Sequence, residues 1–236
     1  MAIRAILGGT FNPPHLGHVS PALHLLSALN IDALGLMPCK LPPHKSVAVS
    51  EEHRVNMVKL CCEQDKRLYP ELIELSLPSP SYTVKTLRAL KERDNKTICF
   101  FIGADSLYNL KSWFEWERLL DFCHLVVMRR DSDTFTPPDD LVEWLKANKT
   151  EDVLQLHAQP NGLVFLADTP LHPVSSTQLR SAVQTDASST LQETYLNETA
   201  LHDAKFQATT LIAKWLPQAV SDYIYTHRLY QELSNK

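Results

Sequence analysis

Short apolar runs recur along the chain and predict buried strands. They lie at residues 2–7, 33–37, 72–75, 98–102, 125–128 and 163–166. Between most of them apolar residues recur at helical spacing, as in residues 51–63, which follow a candidate N-cap at Ser50, and in residues 83–92. Strands that alternate with helices predict an α/β fold, Rossmann-like and doubly wound, with a mostly parallel sheet and helices on both faces.

The pattern becomes more polar toward the C-terminus. Residues 131–140 contain Pro137-Pro138 and predict a surface loop, and residues 184–198 are rich in Ser, Thr, Asp and Asn and predict a loosely attached segment. Helical spacing returns at residues 201–215 and 218–227, with a break at Pro217. We therefore expect an α/β core at residues 1–183 and a helical C-terminal extension at residues 184–236, packed on the same domain.

Composition narrows the class of protein. The net charge is −4 and the pI about 6.2, so no basic field for binding nucleic acid is present. No apolar run approaches the ~18 residues of a membrane span, and the N-terminus enters the first strand directly, which argues against a signal peptide. The five cysteines form no CxxC motif, which favours free thiols. We expect a cytoplasmic protein that binds neither nucleic acid nor membrane.

The segment at residues 8–18, GGTFNPPHLGH, carries the clearest chemical signal. It links the first predicted strand to a helical pattern at residues 19–26, and it holds three of the six glycines in the chain. Glycines allow a ligand to approach the backbone, and a helix N-terminus offers free N–H groups to anions. His15 and His18 stand at that helix start. Zinc binding or a structural role are alternatives, but no further ligand with zinc spacing follows nearby, so we favour phosphate contact.

A second candidate phosphate site lies at residues 173–180, PVSSTQLR. Ser175 or Ser176 is suited to cap a helix. Arg180 would then lie about one turn along that helix, where a guanidinium can bind phosphate through two N–H groups. Capped helices with an arginine are common, so this motif gains weight only together with the first one.

Together the two motifs resemble the paired signatures of the nucleotidyltransferase superfamily, and most closely those of the bacterial nicotinate-nucleotide adenylyltransferases. The resemblance spans residues 3–230. It includes PPHK at residues 42–45, PSYT at 80–83, GADSL at 103–107 followed by Trp113, and LPQAV at 216–220. Two features depart from the family pattern: Asn12 stands where the family most often has Asp, and residues 185–211 form a longer segment than usual.

The resemblance implies transfer of AMP from ATP to nicotinate mononucleotide, which yields deamido-NAD and pyrophosphate in NAD biosynthesis. ATP and the mononucleotide are the expected partners, Mg²⁺ is expected to arrive on ATP without a protein metal site, and a homo-oligomer is possible. The family implies catalytic roles for His15, His18, Lys45 and Arg180. It implies nucleotide contacts for Gly8, Gly9, Thr10, Phe11, Gly103, Asp105, Ser175, Ser176 and Thr177. It implies acceptor contacts for Pro43, His44, Tyr82, Thr83 and Trp113, where the N–H groups of Tyr82 and Thr83 would select the acid.

Several alternatives stay open at this point. Taken alone, Trp113 and Tyr82 are more simply packed aromatic residues, Trp116 is expected to pack, and Arg129-Arg130 could face phosphate or solvent. An adenylyltransferase for the amide mononucleotide or for phosphopantetheine is the alternative among enzymes. A class I aminoacyl-tRNA synthetase would need a much longer chain. A nucleotide-binding sensor without activity is the alternative outside the enzymes.

Overall fold

The computed structural model describes residues 3–40, 49–130, 135–170, 172–188 and 198–231, and in this part of the chain it contains one seven-stranded sheet. The strands are β1 (Ile3–Gly9), β2 (Leu34–Pro38), β3 (Leu68–Pro70), β4 (Thr97–Gly103), β5 (His124–Arg130), β6 (Lys149–Thr150) and β7 (Val164–Thr169). All pairings are parallel, and the strand order is β3-β2-β1-β4-β5-β7-β6. The order reverses between β1 and β4, and such a switch point opens a crevice at the carboxyl ends of the strands.

Helices connect the strands. They are α1 (Leu16–Ala28), α2 (Glu51–Cys62), α3 (Ile73–Ser76), α4 (Thr83–Asp94), α5 (Ala104–Tyr108), α6 (Asp139–Asn148), α7 (Val153–Ala158), α8 (Ser176–Ser188), α9 (Glu198–Trp215) and α10 (Gln218–Thr226). Two 3₁₀ helices cover Leu110–Ser112 and Trp116–Asp121. The predicted N-cap of α2 is confirmed, because Ser50 Oγ accepts a hydrogen bond from the backbone N–H of His53.

Both faces of the sheet are buried. Along β1, Ala5 and Leu7 belong to one hydrophobic cluster and Ile6 to the other, as the two-residue period of a strand requires. Residues of α1, α2, α8, α9 and α10 pack in the first cluster, and residues of α4, α5 and α6 pack in the second. The expected Rossmann-like α/β fold with helices on both faces is confirmed, and the sheet is parallel throughout.

The strand predicted at residues 72–75 is wrong. Those residues contribute to the short helix α3, and the strand lies a few residues earlier, at Leu68–Pro70, in parallel register with Leu34–Leu36. A four-residue apolar run has no period of its own, so it cannot distinguish a strand from a buried helical turn. The two-residue strand β6 carries too short a pattern to be predicted.

The C-terminal helices pack on the same hydrophobic cluster as β1, through buried residues such as Ile212, Trp215 and Ile224. The proposed division after residue 183 falls inside α8, which continues to Ser188, so part of the polar segment at 184–198 is helical. The division itself stays a prediction. Of the loop expected at residues 131–140, residues 135–138 precede α6 without regular structure, residues 139–140 already belong to α6, and residues 131–134 lie outside the described residues.

Candidate active site

One cavity of about 1300 Å³ lies at the carboxyl ends of β1, β2, β4, β5 and β7. Its walls include all the sequence-predicted site residues that the structure describes. These are Gly8, Gly9, Thr10, Phe11, His15, His18, Tyr82, Thr83, Gly103, Asp105, Trp113, Ser175, Ser176, Thr177 and Arg180. The predicted residues Pro43, His44 and Lys45 lie outside the described residues. The two motifs, some 160 residues apart in sequence, therefore face one space.

The first wall is the turn between β1 and α1. The strand extends through Gly9, two residues beyond its predicted end, and Phe11 then adopts a left-handed conformation with φ of 49°. The Phe11 ring is buried and meets His18 edge-on, with 5.6 Å between ring centroids. The Cβ of any larger residue at Gly17 would lie 2.5 Å from Val174 Cγ1, so only glycine lets α1 approach the segment before α8.

His15 and His18 form a stacked pair at the N-terminus of α1. Their ring centroids are 3.7 Å apart, and the ring planes differ by 27°. His15 is the N-cap residue, but its side chain makes no capping hydrogen bond. Within the described part of the chain, both ring nitrogens of His15 and the Nδ1 of His18 are buried without a hydrogen-bond partner. Buried polar atoms without partners are costly, which indicates that these rings are arranged for a ligand.

Burial keeps both rings neutral in the free protein. Desolvation, with a smaller contribution from neighbouring His18, lowers the pKa of His15 to about 2. Desolvation also lowers the pKa of His18 to about 4, against an opposing effect of the Asp105 carboxylate. Near neutral pH each ring therefore offers one N–H donor without a full charge. A bound polyanion would favour protonation and draw these donors toward it.

The N-terminus of α8 forms the opposite side of the phosphate end. Ser175 is the N-cap, since its Oγ accepts from the N–H of Gln178 at 3.2 Å. Ser176 Oγ donates to the carbonyl of Pro13 at 3.1 Å. Arg180 donates from Nη1 to the carbonyl of Asn12 at 2.8 Å and from Nη2 to Thr177 Oγ1 at 3.0 Å. The guanidinium is thus already anchored beside the histidine turn.

The C-terminal tail supports the same turn. The Tyr230 hydroxyl donates to Asn12 Oδ1 at 2.7 Å in a buried position, while the Asn12 carbonyl accepts from Arg180. Burial raises the pKa of this hydroxyl well above its ordinary value, so it remains a donor. Asn12, at the position where the family usually has Asp, therefore links α8 to the tail through separate oxygens. No sequence signal indicated Tyr230.

The other end of the cavity contains the predicted acceptor residues. Tyr82 is the N-cap residue of α4 and Thr83 is its first residue, and their backbone N–H groups have no acceptor in the described part of the chain. Trp113 follows a 3₁₀ turn and lines the cavity beside Phe114, whose ring stacks on Tyr82 at 4.4 Å. Trp116 instead packs edge-on against Trp144, as expected for a packing residue.

Asp105 lies in the first turn of α5, directly after β4. A Cβ at Gly103 would come within 2.5 Å of Asp105 Oδ1, so the carboxylate folds back over the strand end and would have to turn away from a larger residue there. Arg129 also lines the cavity at the end of β5. It pairs with Asp168 at 2.7 Å and lies over the Phe135 ring at 5.2 Å, so it is engaged with protein groups at the rim.

The sequence analysis did not identify two buried charged residues near the site. Arg54 of α2 is 1% exposed and donates to three carbonyl oxygens, those of Thr10 at 3.1 Å, Cys39 at 2.7 Å and Lys40 at 3.0 Å. Glu74 of α3 is 6% exposed and accepts from the N–H of Lys40 at 3.1 Å. Arg54 lies in an ordinary helical pattern and Glu74 in the apolar run that predicted a strand, and only the fold brings them to the strand ends.

The described residues contain no group of three His, Cys, Asp or Glu side chains that could hold a metal ion. All five cysteines are free, as expected, and burial raises the pKa of the Cys61 and Cys99 thiols to about 12. No helix in the described ranges is long and apolar enough to cross a membrane.

A parallel sheet with its crevice at the β1–β4 switch point, together with a histidine pair at a helix N-terminus, defines an α/β protein that binds a nucleotide phosphate. A model of the cytidylyltransferase-like family matches residues 6–182. A protein of Pseudoalteromonas atlantica named "Probable nicotinate-nucleotide adenylyltransferase" is 36% identical over 228 residues, which cover 96% of this chain and 94% of the relative. A protein of the same name from Idiomarina loihiensis is 41% identical over 185 residues, which cover 77% and 88%.

Solved structures agree on the fold. The nicotinic acid mononucleotide adenylyltransferase of Plasmodium falciparum in complex with NaAD matches with a TM-score of 0.66 at 21% identity, and 98% of each chain is covered. The chain belongs to the cytidylyltransferase-like family and, within it, to the nicotinate-nucleotide adenylyltransferases. The family expected from the motifs is therefore confirmed.

Proposed function

We propose that this protein transfers AMP from ATP to nicotinate mononucleotide, forming deamido-NAD and pyrophosphate in the biosynthesis of NAD. Family membership and the relatives named for this activity support the reaction. The observation that carries it is the cavity itself, since it has unpartnered histidine nitrogens at one end and free helix N–H groups at the other. One end suits a polyphosphate and the other suits a carboxylate.

The reaction needs no covalent intermediate with the protein. The 5′-phosphate oxygen of the mononucleotide attacks the α-phosphorus of ATP and forms a new P–O bond. The bond between the α-phosphorus and the oxygen that bridges to the β-phosphorus breaks, and this oxygen leaves with pyrophosphate. The phosphate is already a nucleophile, so catalysis consists of positioning and of stabilising charge on the phosphates.

In this proposal His15 and His18 bind the ATP phosphates, and His18 stabilises charge in the transition state. Their neutral rings donate N–H groups to the phosphate oxygens, and donors that are desolvated and held in place before binding are the most effective. Arg180 donates to a phosphate oxygen, either in place of its hydrogen bond to the Asn12 carbonyl or in addition to it. Lys45 supplies a further positive charge, and the N–H groups at the start of α1 contribute the helix dipole.

The remaining nucleotide contacts follow the cavity wall. Gly8, Gly9, Thr10 and Phe11 approach ATP through the turn after β1, and Gly103 and Asp105 approach the ribose hydroxyls, with Asp105 as acceptor. The α8 hydroxyl groups of Ser175, Ser176 and Thr177 complete the phosphate end. Mg²⁺ enters as part of the substrate MgATP and is held mainly by the triphosphate.

The acceptor lies at the α4 end. Thr83 and Tyr82 present backbone N–H groups to the pyridine carboxylate, and Trp113 stacks on the pyridine ring. The family resemblance adds Pro43 and His44 as acceptor-binding residues. A carboxylate has two oxygens that can accept from the N–H groups of Tyr82 and Thr83, and its negative charge is favoured at a helix N-terminus. An amide would place an N–H donor against one of the helix N–H donors, so the acid is preferred. We place the protein in the cytoplasm, which agrees with its free thiols, and a homo-oligomer remains part of the proposal.

The test is pyrophosphate release from MgATP with nicotinate mononucleotide and nicotinamide mononucleotide in parallel reactions. We expect strong preference for the acid. Equal use of both acceptors would refute the role of Tyr82 and Thr83 and leave the reaction class intact. ATP binding without release from either acceptor would favour a sensor or a different acceptor.

A further inference from the structure

Glu74 is a buried carboxylate between the two ends of the cavity. Its Oε1 accepts from the backbone N–H of Lys40 at 3.1 Å, and its Oε2 accepts from Thr86 Oγ1 at 3.4 Å. The side chain of Ser81 also hydrogen-bonds to it. Lys40 lies 34 residues before Glu74, whereas Ser81 directly precedes the start of α4 and Thr86 lies in its first turns, so Glu74 joins the end of β2 to the start of α4.

Lys40 and Thr86 lie next to different parts of the site. Lys40 follows β2, and its carbonyl oxygen accepts from Arg54, which also binds the carbonyl of Thr10 in the turn at the phosphate end. Thr86 lies in the first turns of α4, where its hydroxyl also lies 3.3 Å from the carbonyl of Tyr82. The hydrogen bonds therefore run from the phosphate turn through Lys40 and Glu74 to the N-terminus of α4.

A carboxylate at this buried position costs free energy. Burying a charge is costly unless it is bonded, and in the described ranges no Lys, Arg or His lies within ion-pair distance of Glu74, so the positive charge of Arg54 acts on it only from farther away. Glu74 also lines the cavity and places negative charge near the end suited to a carboxylate. An apolar residue would fill the space without either penalty. The benefit of Glu74 must therefore come from its hydrogen bonds.

We propose that Glu74 is a positioning residue for recognition of the acceptor carboxylate, because it holds the first turn of α4 against the end of β2. This inference rests on the proposed function. Glu74 itself does not touch the acceptor carboxylate. It fixes the segment from Ser81 to Thr83, whose N–H groups face that carboxylate, relative to the phosphate end of the cavity.

The test is the steady-state kinetics of Glu74→Met, which keeps the side-chain volume and removes the acceptor oxygens. We expect the KM for nicotinate mononucleotide to rise about tenfold, as for the loss of hydrogen bonds to a charged group, while the KM for MgATP changes less than about twofold. The ratio of kcat/KM for the acid over the amide mononucleotide should fall by a similar factor. Glu74→Gln should recover most of the loss, because it retains an oxygen for the Lys40 N–H.

Ser76→Ala is the matched control, since Ser76 is exposed on the same short helix and, in the described part of the chain, its hydroxyl donates to the Ile73 carbonyl of that helix and not to Glu74. It should leave all three quantities unchanged. Equal increases of both KM values in Glu74→Met would indicate a general structural effect and overturn the inference. A lower KM for the acid would also overturn it, since charge repulsion would then be the main effect of Glu74.

The remaining outcomes separate this inference from the proposed function. If Glu74→Met does not fold, Thr86→Val removes the hydroxyl on the α4 side with little change in shape, and an unchanged acid-to-amide ratio there would overturn the inference. Wild-type protein that does not turn over the acid would overturn the proposed function together with this inference. An active wild type with an unaltered ratio in the variants would overturn this inference alone.

Discussion

Replacement of His15 by Asn should make the protein less sensitive to acid. The imidazole of His15 is 2% exposed and has no hydrogen-bond partner in the described part of the chain, so it stays neutral in the folded state. In the unfolded chain the same ring is in water and binds a proton below its ordinary pKa. The unfolded state therefore takes up a proton that the folded state excludes, and acid favours unfolding.

The magnitude follows from the two pKa values. Burial lowers the pKa of His15 from 6.5 to about 2 in the folded protein. The stabilisation is complete above the unfolded pKa and is lost as the pH falls from 6.5 toward the folded pKa. At pH 5, about 1.5 pH units below the unfolded value, the loss is about 2 kcal/mol at ~1.36 kcal/mol per pH unit. Burial also lowers the pKa of His18, to about 4, so His18 contributes its own loss of stability in acid. That loss is present in both wild type and variant.

The assay is urea unfolding at pH 7 and pH 5, with the free energy of unfolding compared for wild type and His15→Asn. Asn is a good N-cap residue, and His15 is the N-cap of α1, so the variant should fold. The wild type should lose about 2 kcal/mol more than the variant between the two pH values. His24→Asn, on the exposed side of the same helix, is the control and should behave like wild type.

An equal loss in wild type and His15→Asn, within about 0.5 kcal/mol, would refute the reasoning. It would mean that the ring reaches water or a partner in the folded state. The stacked pair could then no longer be regarded as neutral donors held ready for phosphate. The role of burial in tuning these histidines would have to be abandoned, although their contact with ATP could survive.

Three further substitutions test the site. His18→Ala should lower kcat by about two to three orders of magnitude with an unchanged circular dichroism spectrum, as for the loss of one preorganised donor, and near-normal turnover would remove His18 from the chemistry. Trp113→Ala should raise the KM for the mononucleotide far more than that for ATP, whereas equal effects would indicate a structural role. Tyr230→Phe leaves Asn12 Oδ1 buried without its donor and should cost about 1–3 kcal/mol in urea unfolding, while unchanged stability would show that water replaces the hydroxyl.

Much of the fold could be predicted because its strands are long enough to show their period. The apolar runs that became β1, β2, β4, β5 and β7 were located to within a few residues, and the cap at Ser50 was identified from its residue type. The predictions failed where the pattern was short. The run at 72–75 could not be told from a helix, and β6, with two residues, has no period at all.

Some residues of the candidate site could be predicted from the sequence, and others could not. His15, His18 and Arg180 stand in motifs whose residue types and spacing indicate phosphate chemistry, and the structure brings them to one cavity. Tyr230 and Glu74 carry no such signal. Their functional significance depends on partners that are distant in sequence, 218 residues for Tyr230 and Asn12 and 34 residues for Glu74 and Lys40.

The sequence by itself determined the class of fold, the family and the phosphate-binding motifs, because periodicity and local turn chemistry are properties of neighbouring residues. Only the tertiary structure decided that the two His15 nitrogens and the Nδ1 of His18 are buried without partners in the described part of the chain, and that Arg54 and Glu74 both bind the backbone of Lys40 after β2. Burial and long-range hydrogen bonds depend on which segments the fold places together. A linear pattern does not contain that information until the sheet is assembled.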